Sequence, residues 1–210
     1  MSGIDDLTHA TRAAEGEPAG VLVLLHGRGT SEDDILPLAD ELDPDRRLVA
    51  IAPRGPLSLP PGGAHWYEAR RVGYPQPDSF LPTYERLTRW LDALEVPIER
   101  TVLAGFSQGA VMAYALGLGE GRPRPAGIVA LSGFIPAVDG FAFDLEALDG
   151  LPVAIGHGTF DPVIEPSFGR AARERLEQAG AELLWRESPV AHTVDPDFLP
   201  ELAGFVDRAL

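Results

Sequence analysis

One serine in the chain stands between glycines in a pattern typical of a catalytic nucleophile. Ser107 is the centre of Gly105-Phe106-Ser107-Gln108-Gly109, a G-x-S-x-G match in which the serine sits on a sharp turn between a strand and a helix. Such a turn strains the serine backbone, so its neighbours two residues away must be nearly free of side chain. The following helix directs its N–H groups toward developing negative charge. The motif therefore predicts acyl transfer through Ser107.

A serine is a weak nucleophile until a base takes its proton, and five histidines are available for that role. They are His9, His26, His65, His157 and His192. His9 lies in the N-terminal tail and His65 in an irregular loop. His192 follows the last predicted strand, which fits a chain order of serine, acid and histidine, each at the carboxyl edge of a sheet. We therefore expect His192 to be the base.

The acid is expected between the serine and the histidine. Asp161, in the segment His157-Gly158-Thr159-Phe160-Asp161-Pro162-Val163, lies just past a predicted strand. Glu165 is the nearest alternative, but its place near the start of the next helix is typical of a first-turn charge. Four further carboxylates lie in the preceding loop, where solvation is the simpler interpretation: Asp139, Asp144, Glu146 and Asp149.

A second glycine-containing turn, His26-Gly27-Arg28-Gly29, follows the first predicted strand. Glycines here let the backbone approach a ligand closely. The backbone N–H groups of Arg28 and Gln108 are the candidates for an oxyanion hole. The side chain of Arg28 is not needed for that role, and a tight strand–helix turn is the alternative interpretation.

Composition excludes several other chemistries. The 210 residues contain no cysteine, lysine or asparagine, so a thiolate nucleophile, a Walker A lysine and a Schiff-base lysine are all absent. The 17 basic residues face 32 acidic ones, a net charge of −15, which argues against nucleic acid and anionic membrane surfaces as partners. The acidic N-terminus has no apolar run, so we expect no signal peptide and a cytoplasmic location.

The elements that must position these residues alternate as in an α/β sheet. Short aliphatic runs predict five buried strands, and a sixth run that alternates more predicts an edge strand: Val21–His26, Leu48–Ala52, Thr101–Phe106, Gly127–Ser132, Val153–Gly156 and Glu182–Glu187. Amphipathic stretches between them predict helices, one of which begins at Thr30 or Ser31 and is kinked or shifted by Pro37. Residues 19–210 are expected to form one domain after a poorly ordered segment 1–18.

Two irregular segments interrupt this alternation, Arg54–Pro77 and Phe134–Leu151. Long irregular segments in a compact domain are often lids or binding loops, with ordinary surface loops as the alternative. The first holds Trp66, Tyr67 and Tyr74, and this aromatic content favours a substrate wall.

Together these motifs, with Leu131-Ser132-Gly133-Phe134-Ile135-Pro136, resemble the phospholipase/carboxylesterase family of α/β-hydrolases, which includes small bacterial carboxylesterases and acyl-protein thioesterases. The resemblance spans residues 26–192. It implies an α/β-hydrolase fold with a mostly parallel central sheet and helices on both faces. It also implies a triad, an oxyanion hole and a set of substrate-binding residues. These are Ser107, Asp161 and His192 for the triad, Arg28 and Gln108 for the oxyanion hole, and His26, Gly27, Trp66, Tyr67, Phe134 and Ile135 for substrate binding.

The chain departs from that family pattern at two places. Many relatives carry an apolar residue where Arg28 stands and an aspartate where Thr30 stands, so a charge here changes the polarity expected at the mouth of the site. The segment Arg70-Arg71-Val72-Gly73 offers no long apolar lid. We therefore expect small to medium acyl groups.

The resulting hypothesis is a cofactor-independent serine carboxylesterase with a small-molecule ester substrate, no metal, no nucleic-acid partner and no membrane insertion; a homodimer stays open. A thioesterase, lysophospholipase or peptidase would use the same machinery. A non-catalytic binding protein of the same fold is an alternative of another class. A metal site built from His157, Asp161 and His192 is a third.

Overall fold

The computed structural model describes residues 7–146 and 148–210. The strands are, in chain order, β1 (His9–Arg12), β2 (Gly20–Leu25), β3 (Leu48–Pro53), β4 (Leu57–Leu59), β5 (Gly63–His65), β6 (Ala69–Arg71), β7 (Tyr74–Pro75), β8 (Thr101–Phe106), β9 (Gly127–Leu131), β10 (Pro152–Gly158) and β11 (Glu182–Ser188). The helices are α1 (Glu32–Ile35), α2 (Leu38–Leu42), α3 (Pro77–Asp92), α4 (Gln108–Leu118), α5 (Pro166–Gln178) and α6 (Leu199–Ala209). In this described part of the chain, none of the helices has both the length and the apolar character needed to cross a bilayer.

Seven strands form one central sheet in the order β1-β3-β2-β8-β9-β10-β11. Strand β1 runs antiparallel to β3, and the other neighbours are parallel. The loops after β2, β8, β10 and β11 therefore leave the sheet at the same edge. This arrangement confirms the predicted α/β-hydrolase architecture, including the edge position of the last strand.

Helices cover both faces of the sheet because the central strands are apolar on both sides. Along β2, Val21, Val23 and Leu25 point into a core shared with α3, α4 and α5. Leu22 and Leu24 point into a second core shared with α2 and α6. The continuous aliphatic run that predicted this strand thus reflects burial on two faces.

The helix predicted after the first strand is broken in two, as Pro37 requires. Ser31 caps α1 by accepting a hydrogen bond from the backbone N–H of Asp34, whose side chain accepts from the Ser31 backbone in return. Pro37 then separates α1 from α2 because it has no N–H to continue the helical hydrogen bonds. Strand β10 extends two residues further than predicted, to Gly158.

The irregular segment Arg54–Pro77 contains two small antiparallel hairpins, β4–β5 and β6–β7. Their strands have only two or three residues, too few to show the alternation of apolar and polar residues by which a strand is predicted from sequence. The first hairpin fixes the turn after β2, because the N–H of Gly29 donates to Ala64 O at 2.8 Å and the N–H of Ala64 donates to Thr30 O at 2.9 Å. The other predicted loop, Phe134–Leu151, forms no strand or helix among its described residues.

The N-terminal boundary of the domain was predicted wrongly. Residues 9–12 form β1 at the edge of the sheet, where His9 pairs with Pro53 and Arg12 with Ala50. Arg12 is buried, and its guanidinium contacts the carboxylate of Asp43 and donates to the carbonyl oxygens of Ala39 and Leu48 at 3.2 and 2.9 Å. The domain therefore starts before residue 19. Residues 1–6 of the expected poorly ordered segment lie outside the described residues.

This buried ion pair gives a first testable expectation. Arg12→Met leaves the Asp43 carboxylate in the interior without its cationic partner, which destabilises a fold by about 3–5 kcal/mol. Urea denaturation at neutral pH measures that loss. The matched control is Arg173→Met, which breaks a solvent-exposed contact with Glu177 and is expected to change stability by less than about 1 kcal/mol. Equal effects of the two variants would contradict the structural role of β1.

Candidate active site

The turn between β8 and α4 holds Ser107 in a left-handed backbone conformation, with φ 56° and ψ −119°. Its N–H donates to Leu131 O on the neighbouring strand at 2.9 Å. A Cβ on Gly105 would lie 2.3 Å from the carbonyl carbon of Gly109, and a Cβ on Gly109 would lie 1.9 Å from Leu25 O. Both glycines are therefore sterically required, as the motif predicted.

Two hydrogen bonds join the three residues that were predicted as a triad. The hydroxyl of Ser107 donates to Nε2 of His192 at 3.0 Å, and Nδ1–H of His192 donates to Oδ2 of Asp161 at 2.7 Å. The Phe106 ring packs against the imidazole at a centroid distance of 4.8 Å. The chain thus brings a hydroxyl, a base and an acid into one relay at the carboxyl edge of the sheet.

Asp161 is ionised and held by its own loop. Burial raises the pKa of this carboxyl, but the hydrogen bonds from His192 and from the backbone of Ile164 and Val163 outweigh burial and hold the pKa below its usual value. Oδ1 accepts both backbone bonds, at 2.9 and 2.8 Å. The alternative acid, Glu165, is exposed at the N-cap of α5, and its carboxylate accepts a local hydrogen bond from the hydroxyl of Ser167.

His157 stabilises the loop that carries Asp161, called the acid loop below. Its ring is buried, and Nε2–H donates to Ile164 O at 2.9 Å while lying 3.6 Å from Oδ2 of Asp161. The metal alternative has no support in this arrangement, since both ring nitrogens of His192 are already engaged within the relay. Within residues 7–146 and 148–210, no group of three or more His, Asp or Glu side chains is arranged to hold a metal ion.

The two predicted oxyanion donors line the same cleft as Ser107. Gln108 is the first residue of α4, so its N–H is one of the donors that a helix leaves unpaired. Neither this N–H nor that of Arg28 donates to any residue in the described part of the chain. Both remain available for an anion beside Ser107.

The side chain of Gln108 has a second role that the sequence did not reveal. Its Oε1 accepts from the backbone N–H of Trp66 at 3.1 Å, and its Nε2 donates to Tyr67 O at 2.9 Å. The segment Trp66–Tyr67 is thereby fastened to the start of α4. The sequence feature that could have indicated this role is a glutamine directly after the nucleophile, because its amide offers both a donor and an acceptor.

The cleft beside Ser107 has a volume of about 320 Å³. Its lining is formed by Arg28, Tyr67, Glu68, Ala69, Arg71, Val72, Ser107, Gln108, Phe134, Val163 and Ile164. Of the predicted substrate-binding residues, Tyr67 and Phe134 lie in this wall. Gly27 lies under the catalytic turn, where an added Cβ would be 3.6 Å from Cβ of Ser107.

Three predicted substrate-binding residues lie elsewhere. The side chains of His26 and Trp66 are completely buried, and Ile135 is half-buried outside the lining of the cleft. Indole Nε1–H of Trp66 donates to His26 O at 2.7 Å, and the two rings pack in a tilted arrangement with their centroids 4.9 Å apart. The side chains of His26 and Trp66 hold the backbone behind the cleft and do not form part of its lining.

The His26 ring is held in one neutral tautomer. Nδ1–H donates to Gly27 O at 2.7 Å, and Nε2 accepts from the N–H of Gly55 at 2.9 Å. Burial lowers the pKa of this imidazole below its ordinary value of 6.5. The unfolded chain therefore binds the proton more readily than the folded one, so the stabilising contribution is complete above about pH 6.5 and is lost as the pH falls below it.

The expected consequence is a loss of stability in mild acid. In the wild type, protonation of His26 on unfolding should lower the free energy of unfolding as the pH falls from about 7.5 to 5.5. Below pH 6.5 the contribution of His26 to this slope is at most about 1.4 kcal/mol per pH unit. His26→Gln, whose amide oxygen can still accept from Gly55, should show a smaller fall. Urea denaturation at several pH values checks this, and parallel curves for the two proteins would contradict it.

Comparison with known proteins decides the family. The phospholipase/carboxylesterase family model matches residues 8–210. The chain belongs to the phospholipase/carboxylesterase family. This confirms the resemblance carried by the motifs around Arg28, Ser107 and Asp161.

Curated relatives and solved structures agree with this membership. Acyl-protein thioesterase 1 of Candida albicans is 28% identical over 217 residues and aligns with 92% of this chain and 94% of its own length. Acyl-protein thioesterase 1 of Debaryomyces hansenii is 26% identical, over 94% and 95% of the two chains. The fold is similar to that of the Bacillus cereus carboxylesterase, with a TM-score of 0.82, 24% identity and 97% and 95% coverage. The family and these relatives indicate a hydrolase that acts on esters or thioesters.

Proposed function

We propose that this protein is a serine carboxylesterase that hydrolyses small to medium acyl esters through an acyl-enzyme on Ser107. The observation that carries the proposal is the continuous relay from the Ser107 hydroxyl through His192 to Asp161, beside two unpaired N–H groups. That combination supplies a nucleophile, a base and an anion site within one cleft.

The proposed reaction begins when Nε2 of His192 takes the Ser107 proton as Oγ attacks the ester carbonyl. The backbone N–H groups of Arg28 and Gln108 stabilise the oxyanion, and Asp161 stabilises the imidazolium. The imidazolium then protonates the leaving alcohol, so the carbon–oxygen bond breaks and the acyl group stays on Ser107. Water, deprotonated by His192, attacks that acyl group and releases the acid.

The substrate range follows from the cleft. Its volume of about 320 Å³ and its wall of Tyr67, Val72, Phe134 and Val163 suit a short or medium acyl chain. A panel of 4-nitrophenyl esters from acetate to laurate should show the highest kcat/KM at short or medium length. A monotonic rise to laurate would contradict the proposed range and favour a lysophospholipase.

A thioesterase is the second candidate, favoured by the relatives named acyl-protein thioesterase 1. The matched substrates are the butyryl ester of N-acetylethanolamine and the butyryl thioester of N-acetylcysteamine, which differ by one atom. We expect kcat/KM for the ester to equal or exceed that for the thioester. A thioester preference of about 100-fold or more would reassign the protein as a thioesterase.

Covalent labelling distinguishes a non-catalytic binding protein of this fold from an enzyme. A fluorophosphonate reacts with a serine only when a base activates it. We expect one adduct per chain on Ser107 and none in His192→Ala. Folded protein that stays unlabelled would favour the binding protein over either enzyme.

A further inference from the structure

Two arginines at the mouth of the cleft lack acidic partners, although the protein as a whole is strongly acidic. Arg28 and Arg71 both line the cleft that contains Ser107, and both are exposed. Neither side chain contacts a carboxylate among the described residues. Several other arginines do so, as Arg122 contacts Asp92 and Arg170 contacts Glu187.

Glu68 is the carboxylate residue in the lining of the cleft, and the buried Asp161 lies outside that lining. Asp161 accepts hydrogen bonds from His192 and from two backbone N–H groups. Glu68 lies 3.0 Å from Nε2 of His65. The lining of the cleft therefore holds two guanidiniums, of Arg28 and Arg71, that have no ion-pair partner among the described residues, and one carboxylate, of Glu68.

The positions of these two arginines place them near the reacting bond. Arg28 contributes its backbone N–H to the proposed oxyanion hole, so its side chain starts directly beside the carbonyl under attack. Arg71 is on the β6–β7 hairpin, with its guanidinium stacked 3.8 Å from the ring centre of Tyr74. Such stacking orients a guanidinium and leaves its charge intact.

The overall field makes this local positive charge informative. A net charge of −15 disfavours the approach of anions to most of the surface. In the lining of the cleft that a substrate must enter, the two positive charges of Arg28 and Arg71 stand against one negative charge, that of Glu68. Below them the wall is apolar, with Val72, Phe134 and Val163.

We propose that the cleft selects esters that carry an anionic group, such as a carboxylate, on the acyl part or on the leaving group, and that Arg28 and Arg71 determine this selectivity. The inference rests on the proposed esterase function. The apolar wall holds the hydrocarbon part of the substrate, and the guanidiniums bind the anionic end. Arginine suits this role because its planar donors match a carboxylate in a bidentate pair.

The test compares matched charged and neutral substrates. On the acyl side these are the mono-4-nitrophenyl ester of adipic acid and 4-nitrophenyl hexanoate. On the leaving-group side they are the butyrate esters of 4-hydroxybenzoic acid and of 4-hydroxybenzamide. For each pair the readout is the ratio of the two kcat/KM values, after subtraction of the rate with Ser107→Ala. The two pairs report which end of the substrate carries the anion.

In the wild type, kcat/KM for the anionic substrate should exceed that for its neutral counterpart by about tenfold in one of the two pairs. This is the size expected for charge contacts that are partly screened by solvent. The ratio should fall toward one in Arg28→Gln combined with Arg71→Gln, and between about 50 and 500 mM NaCl. Arg208→Gln is the matched control. It removes an exposed arginine from α6 on the opposite face of the sheet and should leave the ratio and both rates unchanged.

Each of the other outcomes overturns either the role of the arginines or the esterase function as well. Hydrolysis of both members without a charge preference, or an equal preference in wild type and double variant, overturns the role of the arginines and leaves the esterase intact. Hydrolysis of neither member above the Ser107→Ala background overturns the esterase function together with this inference. Circular dichroism of the double variant controls for folding.

Discussion

Ser107→Ala should lower kcat/KM for 4-nitrophenyl butyrate by at least about 10⁴-fold, because no other group in the cleft can form the acyl-enzyme. The residual rate should be that of the oxyanion site and binding alone. The fold should be unaffected, since alanine keeps the Cβ at the strained position with φ 56°. Initial rates at saturating and limiting substrate, with thermal unfolding of both proteins, check these statements.

The chain offers a matched control for this variant. Ser132 is also buried and also has a positive φ, 49°, in the turn after β9, but its hydroxyl takes no part in the relay. Ser132→Ala should keep kcat/KM within about threefold of the wild type. Similar losses in both variants would mean that the effect of Ser107→Ala comes from disturbing this edge of the sheet.

Asp161→Asn should lower kcat by about 10³–10⁴-fold by giving His192 the wrong tautomer. The backbone N–H groups of the acid loop determine how the asparagine side chain is oriented. Oδ1 accepts from the N–H groups of Val163 and Ile164, so an asparagine must keep its oxygen there and turn its NH₂ toward His192. Nδ1 of His192 would then have to accept, and the proton would move to Nε2, where it blocks removal of the Ser107 proton.

The control for the acid is the carboxylate that competes with it in the sequence. Glu165→Gln alters the exposed N-cap of α5 and should leave kcat within about threefold. If Glu165→Gln abolished turnover and Asp161→Asn did not, the assignment of the acid would be wrong. Steady-state kinetics with 4-nitrophenyl butyrate measure both variants, and the pH at which each is assayed must be the same.

The parts of the site that were predictable from sequence are those in which chemistry fixes both residue type and place. A strained nucleophile turn demands small residues around Ser107, and parallel strands demand that Asp161 and His192 leave the sheet at one edge. The aliphatic runs that marked β2 and β8 reflect burial on two faces. Sequence therefore predicted the sheet and the relay together.

The N-terminal strand was not predictable because its stability comes from distant partners. Residues 9–12 carry no aliphatic run, and the strand forms by pairing with β3 some forty residues away. Arg12 is buried, and its guanidinium neutralises Asp43 in the interior. Neither the pairing nor the burial leaves a local pattern in the chain.

The wall of the cleft was predictable only in part, because sequence does not tell whether a residue faces the ligand or supports the backbone behind it. Tyr67 lines the cleft, while its neighbour Trp66 is turned inward and donates to His26 O. Arg71 enters the wall from the short β6–β7 hairpin and Val163 from the loop after β10, and neither segment shows a periodicity. Their contribution depends on how the β6–β7 hairpin and the acid loop pack around Ser107.

The most direct test is to trap the covalent intermediate. Wild-type protein mixed with 4-nitrophenyl butyrate and quenched in acid within the first turnover should gain one butyryl group, and peptide mass spectrometry should place it on Ser107. His192→Ala should accumulate none at the same time. A butyryl group on another residue, or full turnover with no covalent adduct in the first turnover, would contradict a serine hydrolase built on Ser107, His192 and Asp161.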